Sequence, residues 1–210
     1  MCFSAEASFA AAGGLGVAGA ASFKFATRRE RLIAVIPLIF AVQQLLEGLQ
    51  WLTIRFGSPS LIAGYGFLFI ALVVWPAYIP LAVYLMDHAK RKLLIWIVGL
   101  GMALSVFFLM MLITKPLLVL VVNYSIRYQL NVPGGMGMTG IYLLVMAGAL
   151  FLTSDRAVRY FGILALLTAV VSGLLYYATF VSVWCFLAAV LSVTIYVHLR
   201  RTHGARKPNP

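Results

Sequence analysis

The residues best suited to chemistry lie in one short stretch of the chain, where polar side chains recur at steps of three and four. They are Gln43, Gln44, Glu47, Gln50 and Trp51. In a helix this spacing places them on one face, while leucines at positions 45, 46, 49 and 52 occupy most of the other face. A carboxyl group among amides can bind a proton, a cation or a small polar solute. The pattern therefore predicts a ligand site built around Glu47.

The position of Glu47 along its span supports this prediction. It lies 8 residues before Arg55 and 16 after Arg31, which corresponds to about 12 Å and about 24 Å of helical rise. An ionisable residue at mid-membrane costs about 2.5–3.5 kcal/mol on insertion scales, so its side chain should face protein or a watery cavity. The alternative is that the carboxyl and the glutamines only join helices, through hydrogen bonds of about 0.6 kcal/mol each. We favour binding, because an ionisable group is a costlier way to join helices than glutamine alone.

A second group of polar residues lies at the amino terminus. Ser4 and Glu6 precede an apolar run on the same side of the membrane as Glu47, and we include them in the predicted ligand site. The alternative, which we favour for Glu6, is that Ser4 caps a helix whose dipole Glu6 complements. If Met1 were removed, Cys2 would become an amino-terminal nucleophile with its own amine as base, and it is the candidate catalytic residue.

The second cysteine leaves a thiol enzyme open as an alternative function. Cys185 lies 15 residues before Arg200, about 22 Å along a helix, so Cys2 and Cys185 are expected at similar depth. No Cys-x-x-Cys motif supports a redox pair, and an inert buried Cys185 is the favoured interpretation. Whether the protein is an enzyme stays open.

Composition requires that these residues sit in a membrane protein. Of the 210 residues 63% are apolar and only 10% are charged, which excludes a soluble enzyme, a disordered chain and a secreted disulfide scaffold. The formal net charge of +11 does not indicate nucleic-acid binding, because the basic residues lie between apolar runs rather than on one solvated face. The charge instead indicates topology and contact with the anionic lipids of a bilayer.

The charged residues divide the chain into spans. Apolar runs cover residues 7–23, 32–54, 61–86, 93–114 and 138–154, and residues 160–199 contain no Lys, Arg, Asp or Glu. A helix of 40 residues would measure about 60 Å, twice the hydrocarbon thickness, so the last run must turn back, which we predict near Tyr177 to Ser182. The predicted fold is an all-α integral membrane protein, a bundle of seven transmembrane helices.

The loops predict the orientation of this bundle. With the amino terminus outside, 13 of the 16 basic residues fall on cytoplasmic segments, as the positive-inside rule requires. The carboxyl terminus is then cytoplasmic. We expect residues 1–201 to form a single membrane domain and residues 202–210 a flexible tail.

Two segments carry further structural predictions. The first span is rich in Ala and Gly, which favours close helix packing and a place inside the bundle. In the outside connection, polar and apolar residues alternate over residues 123–130, a period of two that indicates a half-buried strand. This strand is either a lid over the site or, as we favour, an interfacial segment.

The amino-terminal nonapeptide Met-Cys-Phe-Ser-Ala-Glu-Ala-Ser-Phe, together with residues 36–48 and Trp51, resembles a known group of proteins. It is similar to uncharacterised bacterial multi-spanning membrane proteins that open with Met-Cys-Phe-Ser or Met-Cys-Trp-Ser. The resemblance implies a bacterial membrane protein. It draws attention to Cys2, Ser4, Glu6, Gln44 and Glu47 without giving any of them a role.

Taken together, the sequence predicts a bacterial inner-membrane transporter, channel or receptor that binds a small polar solute or cation in an outward-facing pocket around Glu47. The alternative is a membrane thiol or redox enzyme using Cys2 with or without Cys185. No metal site is predicted, since all three histidines lie at inner ends or in the tail. Cofactor and oligomeric state stay undetermined.

Overall fold

The computed structural model describes residues 4–87 and 90–204, which form a helical bundle with one β-hairpin. We number the helices α1 (Ala5–Ser22), α2 (Arg31–Arg55), α3 (Leu61–Met86), α4 (Arg91–Thr114), α5 (Gly135–Leu152), α6 (Arg156–Leu175) and α7 (Phe180–His203). The hairpin consists of β1 (Leu117–Val122) and β2 (Ser125–Leu130).

Six of these helices, α2 to α7, are long and apolar enough to cross a membrane. The prediction of a helical membrane protein is confirmed at this level. The predicted first span forms the helix α1, but α1 is not among the six. At 1.5 Å per residue its 18 residues measure about 27 Å, slightly less than the hydrocarbon thickness.

Helix α1 packs against α2 and α7 through a part of its surface. A Cβ on Gly19 would lie 2.6 Å from the Leu38 side chain, and one on Gly48 would lie 2.8 Å from Phe9, so glycine permits both close approaches. The opposite face differs from the expectation of a fully enclosed helix. Gly13 and Val17 are exposed there, and α1 therefore lies at the edge of the bundle.

Helix α3 contains a wider turn in its centre. Residues Phe69–Val74 are π-helical, and Pro76 and Pro80 follow, each lacking the N–H that a regular helix would use. Helix α3 packs very closely against α4. A Cβ on Gly101 of α4 would lie 2.1 Å from the Pro76 carbonyl oxygen of α3. Trp75, directly after the π-helical turn, is 2% exposed and lies in the centre of the bundle.

The hairpin confirms the predicted strand and adds a partner to it. Strands β1 and β2 pair antiparallel, and Asn123 and Tyr124 turn the chain with φ angles of +48° and +57°, as tight two-residue hairpins require. The ring of Tyr128 stacks on Phe67 of α3 at a centroid distance of 4.6 Å. The Ser125 hydroxyl lies 3.0 Å from the Thr179 hydroxyl, which ties β2 to the start of α7.

The up-and-down order of the helices gives the bundle two unlike ends. The hairpin end carries β1, β2 and residues 177–179, a 3₁₀ turn that confirms the predicted reversal before α7. The basic end carries most of the described basic residues, namely Lys24, Arg28, Arg29, Arg31, Lys90, Arg91, Lys92, Arg156, Arg159, Arg200 and Arg201. Helix α7 continues through Thr202 and His203, and residues 205–210 lie outside the described ranges, so the flexible tail stays a prediction.

Candidate functional site

The predicted polar face of α2 is confirmed as a buried face. Gln43, Gln44 and Gln50 are fully buried and Glu47 is 2% exposed, whereas Leu45 and Leu49 are more than 40% exposed. This reverses the usual order for a soluble protein and is expected for a helix whose apolar side faces lipid. The glutamines and the carboxyl group therefore point into the bundle.

Glu47 is held by hydroxyl and amide donors on two helices. The Gln44 amide Nε2 donates to Glu47 Oε2 at 3.2 Å, one turn earlier on α2. The hydroxyl of Ser182 donates to Glu47 Oε1 from the first turn of α7, and Ser182 is itself 1% exposed. The carboxyl group thus bridges α2 and α7 in the interior of the protein.

Gln43 extends this cluster toward the centre of α3. Its Oε1 accepts a hydrogen bond of 3.0 Å from the indole Nε1 of Trp75. The thiol of Cys185 lies beside the Gln43 amide, one helical turn after Ser182 on α7. We call Gln43, Gln44, Glu47, Ser182 and Cys185 the polar cluster.

The hairpin contributes one polar group near this cluster. Burial above all, and then the nearby acidic groups of Glu47 and Cys185, raise the pKa of Tyr128 well above its ordinary value. The phenol of this β2 residue is therefore within electrostatic range of both side chains. Its buried hydroxyl has no hydrogen-bond partner in the described part of the chain.

The polar cluster is incompletely bonded. Within the described ranges, Gln43 Nε2 lacks an acceptor and Gln44 Oε1 lacks a donor, and Tyr128 adds a free hydroxyl. None of the ion pairs found among these residues involves Glu47. Buried polar atoms are normally bonded, so unmatched donors and acceptors around one carboxyl group indicate a site that a further polar group can complete.

Gln50 and Trp51 lie on the predicted face but bond elsewhere. With its amide oriented to satisfy both atoms, Gln50 donates to the Ser60 carbonyl at 2.7 Å and accepts from the Ser60 N–H at 3.3 Å. It thereby fixes the loop between α2 and α3. Trp51 is half-buried and packs under the hairpin. Ligand binding by these two residues stays a prediction.

The amino-terminal candidates adopt the simpler of the two predicted roles. Ser4 caps α1 by accepting from the Ala7 N–H at 3.2 Å, and Glu6 lies in the first turn. Glu6 also pairs with Arg55 at 3.7 Å, with both side chains more than 70% exposed. These contacts do not connect Ser4 or Glu6 to the polar cluster, and their binding role stays a prediction.

The thiol hypothesis gains no new support. Cys2 lies outside the described residues, so neither its role nor its pairing with Cys185 is tested. Cys185 is 6% exposed, as the favoured interpretation of an inert buried thiol expects. Among the described residues, no group of three His, Cys, Asp or Glu side chains could hold a metal ion.

Three residues of this region were not predicted from the sequence. Trp75, Tyr128 and Ser182 reach the polar face of α2 from α3, β2 and α7, and Ser182 is 135 positions away from Glu47. The available signals were indirect: Ser182 and Tyr128 belong to segments that the charge distribution already placed on the same side as Glu47. Pairing within that side requires the tertiary structure.

The predicted pocket is only partly matched. A cavity of about 550 Å³, with its open mouth included, adjoins the polar cluster at Trp75 and Cys185, but Glu47 does not line it. Its lining is apolar. An outward-facing opening at Glu47 therefore stays a prediction.

The basic end holds the other buried or half-buried carboxylates, and each has a defined structural partner. His203 Nε2 lies 3.1 Å from Glu30, and His198 Nε2 lies 3.5 Å from Asp155. Asp155 also caps α6 by accepting from two backbone N–H groups. Asp87 accepts from the Ser154 N–H.

A family model described as "Family of unknown function (DUF6629)" matches residues 1–209, which confirms the resemblance to an uncharacterised family. No curated protein and no solved structure matches the chain.

Proposed function

We propose that this protein, which belongs to the family of unknown function DUF6629, is a membrane transporter, channel or receptor-like protein that binds a small polar solute or cation beside Glu47. The observation that carries the proposal is the carboxyl group of Glu47, which is buried between α2 and α7 with hydroxyl and amide partners and, within residues 4–87 and 90–204, without a basic one. A carboxylate in an apolar interior needs a countercharge, and here only a proton or a bound cation would supply it.

The unmatched atoms around Glu47 support a ligand of mixed character. Gln44 Oε1 and the carboxylate can accept hydrogen bonds, and Gln43 Nε2 can donate one. An inorganic cation would be coordinated by the carboxylate and amide oxygens. An ammonium or amine solute would bind the same oxygens by donating hydrogen bonds to them. Both have the positive charge that the cluster lacks.

The hairpin is the proposed cover of the site. Tyr128 reaches toward Glu47 from β2, and β2 is attached to the start of α7 through Ser125 and Thr179. Movement of the hairpin would expose the polar cluster at the hairpin end. This role develops the lid hypothesis for residues 123–130, and an interfacial position of the same hairpin is compatible with it.

The proposed setting is a bacterial inner membrane. The amino terminus and the hairpin end would face outward, and the basic end and the carboxyl terminus would face the cytoplasm, as the positive-inside rule favours. In this topology α1 is a seventh, short span at the edge of the bundle. Glu47 then lies nearer the outer surface than the inner one.

The proposal is tested by cation-dependent stability. The full-length protein in lipid nanodiscs is unfolded thermally in sodium, potassium, lithium or ammonium chloride, with choline chloride keeping the ionic strength constant. At 100 times its dissociation constant, a cation that binds only the folded state adds about 2.7 kcal/mol. We expect one of these cations to stabilise the wild type and Glu6→Gln, but not Glu47→Gln. Equal stabilisation of Glu47→Gln, or none by any of the four cations, contradicts cation binding at this site.

A further inference from the structure

The three buried glutamines of α2 differ in how firmly their amides are held. Gln50 is bonded at both ends to the backbone of the loop before α3. Gln43 is held at one end, because its Oε1 accepts from the indole of Trp75. Within the described residues Gln44 bonds only to Glu47, through Nε2 at 3.2 Å, and its buried Oε1 has no donor. Its orientation is therefore set by the carboxyl group of Glu47.

The amide of Gln44 can turn over within the space it already occupies. The last side-chain torsion of glutamine has a broad and roughly two-fold profile, so rotation exchanges the amide oxygen and nitrogen. With Nε2 toward Glu47 the amide donates, which suits an ionised carboxylate because that group only accepts. With Oε1 toward Glu47 the amide accepts, which suits the O–H of a protonated carboxyl group. The two orientations match the two protonation states.

The titratable groups that face Glu47 are both acids, namely the phenol of Tyr128 on β2 and the thiol of Cys185 on α7. The other elements packed against α2 bring no charge to it. Helix α3 contains no charged residue, and the one charged residue of α1, Glu6, is exposed and pairs with Arg55. The basic side chains of α7 lie in its last two turns, and the one basic residue of β2 alternates onto the face opposite Tyr128.

A carboxylate in this setting is stable only with a proton or a cation beside it, because an uncompensated buried charge is costly. Release of one positive charge from Glu47 therefore favours uptake of the other. The two do not bind together, since a protonated carboxyl group has lost the negative charge that attracts a cation.

We propose that a proton and a monovalent cation exclude each other at Glu47, and that rotation of the Gln44 amide switches the site between them. The inference rests on the proposed function. In the cation state, Gln44 Nε2 donates to Glu47, and Gln44 Oε1 and the carboxylate coordinate the cation. In the proton state, the O–H of Glu47 donates to Gln44 Oε1.

The exchange is balanced in charge. One proton is taken up from water for each monovalent cation released, so the buried site has the same net charge in both states. Proton uptake removes the negative charge of Glu47 and also occupies the oxygen of Gln44. A proton thus withdraws both of the cation's ligands in one step.

The switch is tested by infrared difference spectroscopy between acidic and neutral pH, on the full-length protein in nanodiscs and in choline chloride. The chain contains four glutamines, and labelling their side-chain carbonyls with carbon-13 separates the amide bands from backbone absorption. We expect one labelled amide band to change at the same midpoint pH as the carboxylic-acid band of Glu47. Both changes should vanish in Glu47→Gln.

Two variants identify the group that accepts the proton's hydrogen bond. Gln44→Met keeps a long, unbranched side chain but has no amide, so the amide change should be lost while the acid band remains. Ser182→Ala is the matched control, because it removes the other hydrogen bond to Glu47, and it should retain both changes. The inference is overturned if the amide change persists in Gln44→Met, if it is lost in Ser182→Ala, or if the two wild-type bands titrate at different pH values.

Competition is tested by the pH dependence of cation binding. The dissociation constant of the stabilising cation, obtained from thermal unfolding, should rise about tenfold for each pH unit below the midpoint of the Glu47 acid band. A dissociation constant that stays the same across this midpoint would overturn the exclusion and leave the cation site intact. If no cation stabilises the protein while the two infrared bands still change together, the cation site of the proposed function fails, and the exchange fails with it. Gln44 would then remain only the partner of the proton.

Discussion

The two ends of the bundle surround their carboxyl groups with different partners. At the basic end, Glu30 and Asp155 face histidines, remain partly exposed and fasten loops to the end of α7. Toward the hairpin end, Glu47 is sealed between α2 and α7 with a serine and a glutamine. Hydrogen bonds from Thr27 and contact with His203 account for Glu30, and helix capping accounts for Asp155. No basic group in the described structure neutralises Glu47.

This difference separates structural carboxylates from a functional candidate. A partly exposed carboxylate with a histidine partner contributes a small stabilisation that salt and water limit. A buried carboxylate without a countercharge is a net cost to the fold unless it is protonated or binds a cation. The proposed ligand at Glu47 would offset this cost, which helix association alone would not.

The largest effect on stability is expected from removing the Glu47 side chain. Glu47→Ala leaves the Ser182 hydroxyl and the Gln44 amide without their acceptor, and each unmatched buried donor costs about 1–3 kcal/mol. We expect a loss of about 2 kcal/mol or more in the free energy of unfolding, measured by denaturant titration in detergent micelles. Glu47→Gln keeps an acceptor for Ser182 and should stay within about 1 kcal/mol of wild type. Equal losses in both variants would show that the shape of the side chain, rather than its acceptor oxygens, holds the cluster.

A smaller effect is expected from Ser182→Ala. Removing this hydroxyl deletes one of the two bonds to Glu47 and should cost about 1 kcal/mol. Ser192→Ala is the matched control on the same helix, because the buried Ser192 hydroxyl donates to the Ala189 carbonyl within α7 and lies outside the polar cluster. We expect only Ser182→Ala to alter cation-dependent stability, and identical responses of the two variants would contradict a special role of Ser182.

At the basic end, the carboxylate of Glu30 should make the free energy of unfolding depend on pH. Burial raises the pKa of Glu30, but the Thr27 hydroxyl and backbone N–H and the His203 side chain together lower it below its ordinary value of 4.5. A carboxylate with a lowered folded-state pKa stabilises the protein above about pH 4.5, and this contribution is lost as the pH falls through the folded-state value. The stability of the wild type should exceed that of Glu30→Gln by less than about 1 kcal/mol at pH 6, and the difference should shrink as the pH falls below 4.5. A difference that grows on acidification would refute this account of Glu30.

The smallest effect is expected at the exposed ion pair of the hairpin end. Arg55 and Glu6 lie 3.7 Å apart with most of both side chains in solvent, where water and salt screen their attraction. Arg55→Ala should leave the free energy of unfolding unchanged within the error of the measurement. A much larger loss, measured under the same denaturant titration, would place Arg55 and Glu6 in the structural core of the hairpin end.

The sequence predicted the polar face of α2 because one helix alone determines it. Gln43, Gln44 and Glu47 must share a side at 3.6 residues per turn, and lipid on the opposite side leaves only the bundle interior for them. The turn before α7 was predicted because an uncharged run of 40 residues is too long for one crossing of the hydrocarbon. The positions of the charged residues predicted where the helices end.

The partners of Glu47 could not be predicted in the same way. Ser182 and Tyr128 reach it through tertiary contacts, and the apolar pattern of a membrane helix does not specify which neighbour it packs against. The sequence also did not determine how deeply α1 lies in the bundle. Its small residues permit close packing, but Gly19 uses that property and Gly13 does not.

The central claim is that the buried carboxyl of Glu47 exchanges a proton or a cation. Infrared difference spectroscopy on the full-length protein in nanodiscs measures this directly, through the carbonyl stretch of a protonated carboxylic acid. We predict a band that changes with pH and with the stabilising cation, that is absent from Glu47→Gln and that persists in Glu6→Gln. A spectrum in which Glu47→Gln leaves every pH-dependent and cation-dependent carboxyl band unchanged would contradict the claim.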